Sequence, residues 1–156
     1  MTQLTPRFRL PRSLAAPLLA LALGACAALG PEGPSTPPAA CPENLSGVRD
    51  RLVTPYDQLA SFIGPDELES TLTKPIDAMI ERGGGFAPSI ASGENYVKEY
   101  RDILDHEADT RAEYRALGKD DAWIDLYLSS VRDGITINQA FVDAVRCKQA
   151  AAQAQG

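Results

Sequence analysis

The chain has 156 residues, of which 44% are hydrophobic, 6% aromatic and 23% charged, and its net charge is −6. An acidic balance of this kind argues against nucleic acid as a partner and against holding anionic lipid through a basic patch. The length suits one domain with a modest core.

Residues Met1 to Arg12 carry Arg7, Arg9 and Arg12 and no acid, and the apolar run Leu14 to Leu23 is broken only by Pro17. A basic start, a short apolar middle and small residues after it read as a secretory signal. The run is too short to span a membrane, which takes about 20 apolar residues, and Arg7 and Arg9 are not adjacent as a twin-arginine signal requires. It ends in Leu23-Gly24-Ala25-Cys26. That stretch resembles the lipobox of bacterial lipoproteins: a branched apolar residue, two small residues and a cysteine. The resemblance covers residues 1–26. It implies that a dedicated peptidase removes 1–25 and that the Cys26 thiol carries a diacylglycerol. In enterobacterial members an Asp after the cysteine retains the protein at the inner membrane, so Ala27 implies the outer membrane, facing the periplasm. The plain alternative is an ordinary cleaved signal with Cys26 incidental. Two or more acyl chains anchor a protein stably, because each buried methylene contributes about 0.8 kcal/mol. The lipid bilayer is then one partner, reached through Cys26.

Residues 26–40 read as a linker, since Pro31, Pro34, Pro37 and Pro38 with Gly30 and Gly33 cannot form helix or bury a core. From Cys41 the periodicity is helical and sets a domain over 41–149. Leu45, Val48, Leu52, Tyr56, Leu59 and Ile63 recur every three or four residues, with Pro42 suited to a first turn and Gly64 at the end. Pro55 predicts a kink there, or a restart with Thr54 as cap. Pro65 opens a second segment with Asp66 and Glu67 in its first turn; Leu68 and Leu72 share a face, Pro75 interrupts, and Ile76, Met79 and Ile80 follow. Gly83-Gly84-Gly85 predicts a stop, and Gly83 to Ser92 a loop carrying Phe86 and Ile90.

The longest helix is expected over about Gly93 to Leu117, capped by Ser92, with Tyr96, Val97, Tyr100, Ile103 and Leu104 along one stripe. Glu94 with Lys98 and Glu107 with Arg111 have the favourable i,i+4 orientation. Gly118 fits the left-handed residue after a helix. Asp120 is expected to cap a helix from Asp121 to Asp133 that Gly134 ends, with Trp123 at its edge and Ile124, Tyr127, Leu128 and Val131 facing in. Thr136-Ile137-Asn138-Gln139 matches a capping box for a last helix bearing Ile137, Ala140, Phe141, Ala144 and Val145. Residues 150–156 are small and polar and are expected to fray. The fold class is therefore all-α, a small bundle of four to six helices.

If Cys26 is acylated, Cys41 and Cys147 are the remaining pair, and an even remainder in an oxidising compartment reads as a disulfide closing the domain near both ends; two free thiols are the alternative. For chemistry, His106 is the single histidine, with Asp102, Asp109 and Glu113 at helical offsets around it. Such a cluster could hold a divalent metal, but Glu-x-x-His and His-Glu-x-x-His are both absent, and a solvated charged face accounts for the residues. No Gly-x-Ser-x-Gly elbow surrounds Ser89 or Ser92, and Gly83-Gly84-Gly85 lacks the lysine and spacing of a phosphate loop. No cofactor or metal ligand set is expected. Tyr56, Tyr96, Tyr100, Tyr114, Tyr127 and Trp123 suit either a recognition groove or the edge of a core.

The expected function is that of an envelope lipoprotein with a non-catalytic protein-binding or structural role, contacting an envelope protein through Phe86, Ile90, Tyr96 and Tyr100. The architecture is similar to that of pilotins, small helical lipoproteins that hold a partner helix in a groove, in size, anchor, helicity and cysteine pair. The alternative is a metal-binding protein or enzyme using the acids around His106.

Overall fold

A computed structural model describes residues 40–155; Cys26, the segment 1–25, the linker as far as residue 39, and Gly156 lie outside the described residues. A 3-10 helix, Ser46–Arg51, is followed by α1 (Tyr56–Ile63), α2 (Pro65–Thr73), α3 (Ile76–Arg82), α4 (Phe86–Asp105), α5 (Glu107–Ala116) and α6 (Asp121–Ala154). The fold is all-α, as expected, with no strand among the described residues. Also among the described residues, no helix is long and apolar enough to cross a membrane.

The expected punctuation at Pro75 and Gly118 is present. Pro75 lacks an amide hydrogen and separates α2 from α3. The backbone groups freed there are satisfied by the bent segment before the 3-10 helix: Leu45 N–H donates to Leu72 O at 2.8 Å, and Ile76 N–H donates to Glu43 O at 2.8 Å. The first segment is not an α-helix starting at Pro42, however. Its apolar residues reach the core from a 3-10 turn and α1. Nor does Thr54 cap α1: Pro55 holds the cap position, and the buried Thr54 hydroxyl has no hydrogen-bond partner among the described residues. The backbone there is instead held by Asp133 of α6, a fully buried carboxylate that accepts from Val53 N–H at 2.7 Å and Thr54 N–H at 3.0 Å.

Three expected boundaries move. The loop at Gly83–Ser92 is shorter, because Gly84 and Gly85 (φ 84° and 111°) complete the turn and α4 begins at Phe86. Ser92 is inside that helix and caps nothing. The expected long helix divides at His106 (φ −109°, ψ 33°) into α4 and α5. The two helices expected on either side of Gly134 are one, α6, whose 34 residues make it the longest element, about 51 Å at 1.5 Å per residue. Thr136 therefore caps nothing; its hydroxyl donates to Arg132 O within α6. The helix also runs on through Ala154, into the stretch expected to fray.

Gly134 sits inside α6 for a packing reason. A Cβ there would stand 2.6 Å from Cε2 of Tyr100, whose ring lies on the glycine. Gly93 of α4 does the same for Val142 and Phe141. With Glu94 paired to Arg146, and Glu107 to Arg132, the order of contacts shows α4 and α5 running antiparallel to α6. That hairpin is the largest interface in the domain. The core cluster lies against its far half, where Leu45, Val48, Leu59, Leu68, Leu72, Ile76 and Ile80 of the short elements bury themselves on Ile137, Ala144 and Val145. Cys41 and Cys147 are bonded, with Cα atoms 5.7 Å apart, as the cysteine count predicted.

Candidate functional site

The start of α6 gathers the aromatic side chains. Asp120 Oδ1 accepts from Trp123 N–H at 2.8 Å, the cap expected of it, which fixes the first turn. Trp123 and Tyr127, four residues apart, then share one face. Gly118, at φ 79°, reverses the chain after α5 and brings Tyr114 back over that face. Phe62 arrives from α1. Tyr114 lies 5.1 Å from Trp123 and 4.8 Å from Tyr127 between ring centroids, Trp123 stacks on Tyr127 at 5.7 Å, and Phe62 lies 5.6 Å from Trp123. Lys119 Nζ stands 4.6 Å over the indole. Burial, and then the Tyr114 hydroxyl beside it, push the Tyr127 phenol up to about 12. All four rings are half-buried, and two exposed apolar residues stand near them in sequence, Ile63 directly after Phe62 and Leu117 at the end of α5, the latter 66% exposed. Sequence reasoning placed Tyr114, Trp123 and Tyr127 in a wider set with Tyr56, Tyr96 and Tyr100, suited to a groove or to the edge of a core, and did not single the three out as one cluster. Phe62 was missed, because its sole signal was a place beside Ile63 on a short helix.

The four residues nominated for partner contact separate. Phe86 and Ile90 are on α4, not on a loop, and pack partly buried against the core cluster. They are core edge, and the expectation that a glycine-rich loop displays them does not survive. Tyr96 and Tyr100 stack at 6.3 Å; Tyr96 is 49% exposed, whereas Tyr100 covers Gly134. Burial raises the Tyr100 phenol above its usual value. Tyr56 belongs to a separate contact, its hydroxyl donating to Glu69 at 2.6 Å under the Arg49 guanidinium.

His106 is exposed at the α4–α5 break. Its Nδ1 is 2.9 Å from Asp102 O and 3.4 Å from the Asp102 carboxylate. These two contacts, the backbone one first, raise its pKa above the usual imidazole value. The break removes the continuous helix that would have stacked Asp102, His106, Asp109 and Glu113. Among the described residues no three His, Cys, Asp or Glu side chains converge to hold a metal ion. Glu107 instead joins Arg111, which also reaches Asp125 at 2.8 Å, and Arg132 in a network tying α5 to α6.

Two clefts stand out for their charge. One of about 490 Å³ between α4 and α6 sets Lys98, Arg101 and Arg146 against Glu94, Asp102 and Asp105. The other, about 460 Å³, lies among α2, α3 and the start of α4. No protein-family model, curated protein or solved structure matches the chain.

Proposed function

We propose that the protein is a lipid-anchored lipoprotein of the bacterial envelope, held in the outer membrane through acylated Cys26, that presents a non-catalytic protein-binding surface at the far end of its helical bundle. The observation that carries the reading is the separation of tether and aromatics along one rod. The chain enters the domain at Cys41, which is bonded to Cys147 near the end of α6. Trp123 stands at its start, and the intervening helix is about 36 Å at 1.5 Å per residue. A pivot at one end and a half-buried aromatic cluster at the other suit a module that reaches for a partner near the membrane. Aromatic anchors ringed by polar residues are what protein interfaces favour. The disulfide supports an oxidising compartment, in keeping with the lipobox-type signal. Tyr96 remains a proposed second contact.

The anchor is tested by mass spectrometry of the mature N-terminus. A diacylated Cys26 is expected, and Cys26→Ser should abolish lipid labelling; an unmodified terminus elsewhere sinks the idea. The surface is tested by photo-crosslinking in cells from Ile63 and Leu117, compared with Asp50 and Glu81 on the short elements. A discrete adduct from the first pair alone is expected, lost on Trp123→Ser in a protein that still folds. The metal or enzyme alternative predicts the opposite dependence: His106→Ala would abolish function in a folded protein, while Trp123→Ser would leave it.

A further inference from the structure

We propose that the cleft among α2, α3 and the start of α4 is a binding site for a carboxylate carried on an apolar chain. Its lining bears two cations, Lys74 and Arg82, and one acid, Glu67. Neither cation has a carboxylate within ion-pair distance among the described residues, although the described domain is acidic. Lys74 is half-buried along its stem and brings its ammonium to the cleft with no counter-ion among the described residues. The net lining charge of one positive unit fits a monoanion and not a phosphate dianion. In the α4–α6 cleft, by contrast, three cations face three acids and nothing is left over.

Ser89 gives an independent sign. It lines the cleft, is 3% exposed, and its hydroxyl has no hydrogen-bond partner among the described residues. Buried hydroxyls are nearly always bonded, and an orphan calls for a missing acceptor. Gly83 is shaped to it, since a Cβ there would collide with the Ser89 hydroxyl. The wall that Ser89 belongs to is the beginning of a 20-residue helix with no side-chain cap and no acid in its first turn, so the positive end of its dipole is unopposed. Met79 and Phe141 supply the apolar part of the lining. A carboxylate would meet Lys74, Arg82 and the Ser89 hydroxyl, with its hydrocarbon against Met79 and Phe141. The inference stands apart from the aromatic end, because Phe141 lies about 27 Å along α6 from Trp123 at 1.5 Å per residue.

The test titrates the full chain, disulfide intact, with octanoate and its methyl ester, and with an acetylated peptide ending in leucine as free acid and as amide, following amide chemical shifts. Either acid should shift Gly83, Ser89 and Lys74, with its uncharged twin weaker by about tenfold or more. Octanoate alone would identify a fatty acid as the source, the peptide acid alone a chain terminus, and both outcomes support the site. Lys74→Gln and Arg82→Gln should each weaken binding about tenfold. Ser89→Ala should weaken it while leaving the melting temperature unchanged or higher, since the hydroxyl has no internal bond to lose. The proposal is overturned if neither acid binds, if the ester and amide bind as well as the acids, or if affinity is indifferent to all three substitutions.

Discussion

Asp133 spends a buried carboxylate on two backbone amides about eighty residues away in sequence, and nothing else in the described structure holds the Val53–Thr54 segment as directly. Removing it leaves the buried Thr54 N–H and the part-buried Val53 N–H without acceptors, which costs about 1–3 kcal/mol for the buried group and less for the other, where water can reach. Asp133→Ala is therefore expected to lower stability by about 1–4 kcal/mol in denaturant titration. Asp133→Asn should fall between, because an amide keeps one acceptor oxygen and turns an NH₂ towards the second donor. A change within about 0.5 kcal/mol, typical of surface sites, would mean that water replaces the carboxylate freely. Gly134 poses the converse problem. Helix propensity alone makes Gly134→Ala stabilising by about 1 kcal/mol. Contact with the Tyr100 ring makes it destabilising by about 1–3 kcal/mol, the usual cost of overpacking. Loss in the native background and recovery in a Tyr100→Ala background would separate the two terms in a double-mutant cycle.

Among the helices, α5 is the one with no buried residue, and it is held to α6 by Tyr114 and by the ion pairs of Glu107, Arg111 and Arg115. Exposed pairs contribute little and are screened by salt, so α5 should open on its own before the rest of the domain. Hydrogen exchange is expected to be fastest in α5, faster still in high salt, and Arg111→Ala should speed it without moving the global melting temperature. Protection in α5 equal to that in α4 would contradict this. The same contrast explains what could be anticipated from the chain. Asp120, Gly118 and Pro75 act through neighbours within a few residues, and their effects were legible. Gly134 and Gly93 look like breakers until Tyr100 and Val142 from another helix are laid on them, and tertiary packing then overrides propensity. Likewise Asp133, Phe62 and Ser89 acquire their roles from residues that pattern reading cannot bring together. The fold class was legible because it rests on periodicity; the aromatic end was not, because it rests on how three helices converge.

The disulfide joins these parts into one object, tying the segment that opens the described domain to the C-terminal part of α6. Its ends are 106 residues apart. In the chain-entropy model, closing a loop of that length stabilises the fold by roughly 4–5 kcal/mol, and often by less in practice. That is a large share of the roughly 5–15 kcal/mol by which domains are stable. The core cluster beside Cys147 is built from short elements, the 3-10 helix with α1 to α3, none longer than nine residues. Such segments are marginal as helices on their own and depend on being held against α6. Reduction is therefore expected to lower the melting temperature and to loosen this end first, leaving the α4–α6 hairpin and the Trp123 cluster closer to native. Thiol labelling of the native protein without reductant should give no reaction at Cys41 or Cys147. After reduction, exchange in α1 to α3 should rise well before Trp123 fluorescence changes. Loss of both signals together would show the domain to be a single cooperative unit, with the disulfide stabilising every part of it equally.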